Sequence, residues 1–118
     1  MIFKMASSTA WILILLAAVN STIGNLLLKK ASVPAGNFLD MVINPFFIAG
    51  LIFYGVNVLL FAKALEILPV STAYPVLAGG GFLFLVVASN LYLGEMVGIS
   101  QMLGIFFILA GVFLLAKG

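Results

Sequence analysis

The amino-acid sequence predicts an all-α integral membrane protein, a bundle of four spanning helices. Two observations carry this. Charge is scarce: of 118 residues, five are Lys or Arg and three are Asp or Glu, 7% in all, against roughly 25% in a soluble domain. The charges also fall between four apolar stretches, residues 8–28, 45–62, 69–94 and 96–116, and not within them. A chain that is 65% hydrophobic with a mean hydropathy of +1.38 has too few polar groups to clothe a water-facing surface. Each stretch is close to the ~20 residues a helix needs to cross a bilayer core at about 1.5 Å per residue.

The same composition excludes several function classes. Cysteine and histidine are absent, so there is no disulfide framework, no thiolate metal site and no imidazole proton shuttle. A net charge of +2, scattered along the chain, gives no footprint for nucleic acid. No paired catalytic carboxylates, nucleophile–base set or phosphate loop is present, so enzymatic activity is not expected, and no cofactor or metal is expected.

Taken in order, the first helix is expected over about 8–31. Lys4 followed by the apolar residues 11–19 mimics a secretory leader, but the run continues to Leu28 and meets Lys29-Lys30, as a span does. Residues 32–44 read as a loop, marked by Pro34, Gly36, Asn37 and Asp40. Asn44-Pro45 is a start signal, Asn at the cap and Pro in the first turn. The second helix is expected over about 45–68, stopped by Pro69, the third over about 70–93, and the fourth over about 97–116 after a turn at Gly94-Glu95. The short connections after the second and third helices predict antiparallel hairpins. Lysine counts, three (Lys4, Lys63, Lys117) against two (Lys29, Lys30), lean towards cytoplasmic termini and leave dual insertion open.

Function is sought in polar groups inside the spans, because these are costly in lipid unless paired or facing a cavity. In the first helix Asn20, Ser21, Gly24 and Asn25 share one face. They serve either as helix–helix glue or as the wall of a polar cavity at mid-membrane. The second helix adds Tyr54 and Asn57 on one face, with Lys63 either snorkelling, pairing with Glu66, or contacting an anionic headgroup. The third carries Tyr74 and Pro75 near its start and Gly79, Gly80 and Gly81 in its middle, read as a hinge or as a close-packing site. The fourth has Gly104 and Gly111 on one face, a small-residue groove for assembly away from the transport path. Four helices alone leave polar intramembrane surface towards lipid, which argues for a dimer.

Several segments occur together in order: Gly24 with Lys29; Tyr54; Leu68-Pro69-Val70-Ser71-Thr72-Ala73-Tyr74-Pro75; Leu93-Gly94-Glu95; Ser100-Gln101; Gly104; and Ala110-Gly111-Val112. In these the chain resembles the drug/metabolite transporter superfamily, specifically its four-helix, small-multidrug-resistance-like members. Multidrug members of that family carry a glutamate in the middle of the first helix. Anchoring on Gly24 and Lys29 places that position at Ser21, and the tryptophan those members carry in the third helix falls at Leu77. A serine does not titrate near neutral pH and does not neutralise a buried cation. The pattern Ser21-x-x-Gly24-Asn25-Leu26-x-x-Lys29-x-Ala31, with Ala73-Tyr74-Pro75-Val76-Leu77, is more similar to the small subunits proposed to flip undecaprenyl-phosphate-linked aminoarabinose.

The resemblance implies a transporter of the bacterial inner membrane whose partners are membrane lipid, an amphipathic or lipid-linked substrate, and a similar four-helix subunit in a homodimer or heterodimer. Lys29 and Lys63 would then be phosphate contacts. Two alternatives stand beside this reading: a small-molecule or drug exporter of the same superfamily, and a non-transporting assembly subunit. If Gly104 belongs to the dimer contact, Gly104→Leu abolishes crosslinked dimers; dimers that persist in the variant contradict that role.

Overall fold

A computed structural model describes residues 7–117, all of whose regular elements are helices. They are α1 (Ser7–Ser32), α2 (Phe38–Val42), α3 (Pro45–Ala64), α4 (Val70–Leu93) and α5 (Ile99–Lys117). Four of them, all but α2, are long and apolar enough to cross a membrane. At about 1.5 Å per residue their 19 to 26 residues span roughly 28 to 39 Å. Lys4, which enters the orientation argument, lies outside the described residues.

Local chemistry explains the ends. Asn44 caps α3 by accepting from the Phe46 N–H at 2.8 Å, with Pro45 in the first turn where its missing N–H costs nothing. The α-helical part of α3 stops at Ala64, four residues short of the expected 68. Residues 65–68 continue as hydrogen-bonded turns on Phe61, Lys63 and Ala64 carbonyls, because Pro69 disfavours helical backbone at the residue before it. Gly94 ends α4 at φ 69°, a left-handed conformation suited to a residue without a Cβ. Gly98 stands before α5 with its N–H held by Gln101 Oε1 at 2.9 Å, half of a capping box, so this helix begins at 99 and not 97. The expected loop 32–44 contains one additional short helix, α2, started by Asn37 accepting from the Asp40 N–H at 2.8 Å.

The layout differs from a chain of paired hairpins. α1 is the central helix: α3 packs along one side of it and α4 along another, while α3 and α4 hardly meet each other. α5 packs on α4 and has no buried residue. The reason is the distribution of small residues. Gly24 and Gly50 let the α1 and α3 backbones approach, with Gly24 under the Tyr54 ring. Ala18 and Ser21 face Gly80 and Gly81 of α4. The buried core is small and alanine-rich, with Ala10, Ala17, Ala18, Ala64 and Ala73 joined by Ile14, Leu68 and Leu77. In a bilayer apolar burial supplies little drive between helices, and close backbone approach supplies it instead.

The resulting molecule is a slab, 48 × 39 × 20 Å. Its radius of gyration of 16.0 Å exceeds the ~13.5 Å of a compact domain of this length. One close approach anchors α5: a Cβ placed on Gly79 would lie 2.6 Å from Val112 Cγ2. Valine is stiff at χ1, so it cannot swing away cheaply. Gly79→Ala is therefore expected to lower stability in detergent by about 1–3 kcal/mol. Adding Val112→Ala should recover most of the loss in the same thermal-unfolding assay. Equal stability of Gly79→Ala and the parent, or no recovery in the double variant, would count against this contact.

Candidate functional site

A cleft lies between α1, α4 and α5, with a volume of about 520 Å³. Its apolar wall comes from Phe82, Leu85, Val86, Ile105 and Ile108. Its polar groups gather towards one end: Asn25 and Lys29 from α1, Ser89 from α4, Glu95 from the connection, and Gln101 from α5. The cleft exists because α5 is held on α4 at Val112–Gly79 while Gly104 presents no side chain; nothing lies within 4 Å of a Cβ built there.

Three of these polar groups are already occupied locally, Gln101 Oε1 accepting from the Gly98 N–H at 2.9 Å. Asn25 Nδ2 donates to the Ser21 carbonyl at 2.9 Å, and Ser89 Oγ donates to the Val86 carbonyl at 3.0 Å. Their acceptor lone pairs, and the second amide proton of Asn25, remain available to a ligand. Lys29 Nζ meets Glu95 Oε2 at 3.2 Å across the mouth of the cleft, tying the end of α1 to the α4–α5 connection. Half-exposed, the pair is worth little as a stabiliser. It is a charge-assisted contact that an anionic group can enter by replacing the carboxylate on the lysine.

The expected site residues separate into three places. Asn25 and Lys29 line the cleft, and so does Gly104, expected only as a packing residue. Gly24 and Tyr54 lie in the α1–α3 seam. Asn57 is 9% exposed on the buried face of α3 with Gly50 and Ala64, and its Oδ1 accepts no hydrogen bond among the described residues. Ser21 faces Gly81 in the α1–α4 seam, and Asn20 donates back to the Leu16 carbonyl at 3.0 Å. Tyr74 lies at the opposite end of α4, 58% exposed and edge-on to Phe61 with ring centroids 6.1 Å apart; Pro75 follows it inside the helix. Lys63 pairs with Glu66 at 3.1 Å, so both lysines named as phosphate contacts hold carboxylates. Gly79, Gly80 and Gly81 lie within a continuous α4, packed on Val112, Ala18 and Ser21. Gly111 has open space beside it.

Helix α5 is thus not remote from the cleft: Gln101, Gly104, Ile105 and Ile108 form one of its walls. Their spacing, one helical face, was visible in the sequence. Thr22 was missed altogether. Its buried hydroxyl lies 3.0 Å from the Ala18 carbonyl and 3.3 Å from the Gly81 carbonyl, so its single proton is shared between its own helix and α4. A threonine bonding back to its own turn leaves no long-range signal in a sequence.

The sequence model of the Small Multidrug Resistance protein family matches residues 9–108. The chain belongs to the small multidrug resistance family. Members of this family are transporters, not enzymes, and work as oligomers in membranes. The uncharacterized protein y4nH of Sinorhizobium fredii is 47% identical over 110 residues, covering 91% of this chain and 94% of the relative. No solved structure matches. Within this small multidrug resistance protein, all three carboxylates (Asp40, Glu66 and Glu95) lie outside the four spanning helices.

Asn25→Leu separates site from scaffold. The variant should keep parental helicity and melting behaviour while losing roughly tenfold in transport, the worth of about one hydrogen bond to substrate. Unchanged transport would remove Asn25 from the site.

Proposed function

We propose that this small multidrug resistance protein carries an amphipathic substrate, the polar head held at the Asn25, Ser89 and Gln101 end of the cleft and the apolar part lying along Phe82, Leu85, Ile105 and Ile108 or in the surrounding lipid. The finer reading is a polyisoprenyl-phosphate-linked sugar moved across the bacterial inner membrane, with termini on the cytoplasmic side. The carrying observation is a cleft that combines an apolar wall with amide and hydroxyl groups at one end and a lysine at its mouth. Amides and hydroxyls suit sugar hydroxyls, and Lys29 suits a phosphate once Glu95 is displaced.

The absence of a carboxylate from the spans supports the same choice. Without one, no carboxylate inside the membrane exchanges a proton for a cation, and net direction would come from consumption of the lipid on the far side. The site is completed in this reading by a second four-helix subunit, the same chain or a similar one, packed through α5 and its glycines Gly104 and Gly111. In an antiparallel pair, Lys29 of one copy and Lys63 of the other lie on the same side of the membrane. Domain closure about Gly79, Gly80 and Gly81 is the proposed route between faces.

Family membership favours a second reading, export of a soluble small molecule or drug. Reconstitution into liposomes, alone and with a similar four-helix subunit, distinguishes them. The lipid reading expects labelled polyprenyl-phosphate sugar to become accessible to a membrane-impermeant reagent in the opposite leaflet. Uptake of a soluble solute with the lipid left in its starting leaflet would replace that reading with the second. Transport of neither would leave an assembly subunit.

A further inference from the structure

A second surface adjoins the cleft at the same end of α1, the two sharing Leu26 and Leu93, and takes an occupant of its own. Ile23, Leu27 and Lys30 form one stripe of α1, spaced by four and three residues. Because α3 and α4 hardly meet, this stripe is the floor of a groove, with Phe46 at the start of α3 on one side and Tyr92 at the end of α4 on the other. The groove has a volume of about 370 Å³ and is apolar apart from its mouth. There Lys30 Nζ sits 5.5 Å from the centroid of the Phe46 ring. Unlike Lys29 and Lys63, Lys30 makes no ion pair among the described residues. Tyr92 is 79% exposed at the same level.

We propose that this groove binds one anionic glycerophospholipid, with an acyl chain along Ile23 and Leu27 and the phosphate on Lys30. Three features meet here. The floor is apolar along the membrane normal, as an acyl chain requires. The cation stands at a helix end, where headgroups lie, and the aromatic side chains flanking it belong to the type that settles at the membrane interface. A basic group above an apolar slot between helices selects an anionic headgroup over a zwitterionic one. Free phosphate would satisfy the lysine but not the groove.

Native mass spectrometry of the full-length protein, purified with equal amounts of phosphatidylglycerol and phosphatidylcholine, tests this. The parent should retain phosphatidylglycerol about fivefold over phosphatidylcholine, the ratio expected for one lysine at a membrane surface. Lys30→Gln should abolish the preference, and Lys117→Gln, outside the groove, should keep it. Leu27→Trp leaves the lysine but fills the floor, and should lose both lipids. Excess inorganic phosphate should not displace the bound lipid. Equal retention of the two lipids by the parent, a preference that survives Lys30→Gln, or displacement by phosphate overturns the proposal. The chain has no native cysteine, so Tyr92→Cys adds a clean check: a disulfide between two copies in bilayers would show a protein partner covering the groove and would also overturn it.

Discussion

Close backbone approach on two sides of α1 is the constraint on which everything else depends. Gly24 against Gly50 and Tyr54 holds α3, and Ala18, Ser21 and Thr22 against Gly80 and Gly81 hold α4. In a hydrocarbon solvent a leucine gains little by leaving lipid for protein, so helices join where backbones can come near and polar groups can pair. The Thr22 hydroxyl, shared between the Ala18 and Gly81 carbonyls, is one such pairing. A Cβ on Gly24 or Gly50 would lie 2.8 or 3.1 Å from the facing helix, so bulk at either glycine would push α1 and α3 apart.

The cleft is a consequence of that arrangement. With α1 central and α3 and α4 on its flanks, α5 has only α4 to pack on, anchored by Val112 on Gly79. Towards the Gln101 end no side chain fills the space beside Gly104, and polar groups from α1, α4, α5 and the α4–α5 connection converge there. The same uneven packing leaves a neighbouring groove, where α3 and α4 diverge over Ile23 and Leu27. Small residues on two sides of α1 therefore account for both surfaces.

Electrostatics distinguishes the two. At the cleft mouth Lys29 is held by Glu95, so an incoming anion exchanges one carboxylate partner for another charge of the same sign. At the groove Lys30 lies over the Phe46 ring, with no ion pair among the described residues. Neither site places a carboxylate among the hydrocarbon chains, where an unpaired one would be heavily penalised. Ser21, where the resemblance places the first-helix glutamate of multidrug members, lies beside Gly81 and leaves room for α4.

Composition alone determined the four spans, the all-helical class and the lack of an intramembrane acid, because lipid tolerates only a narrow chemistry and that chemistry is local. Start signals such as Asn44-Pro45 were legible for the same reason. Of the candidate site, Asn25 and Lys29 line the cleft, whereas Gly24, Tyr54 and Asn57 went to the α1–α3 seam and Tyr74 to the far end. Helices that are apolar on nearly every side carry no stripe to say which face meets protein and which meets lipid. The choice of neighbours, the meeting of Lys29 with Glu95 and of Thr22 with Gly81, and the place of the cleft were decided only by tertiary structure. They depend on how small residues from distant segments fit together, and no one segment contains that information.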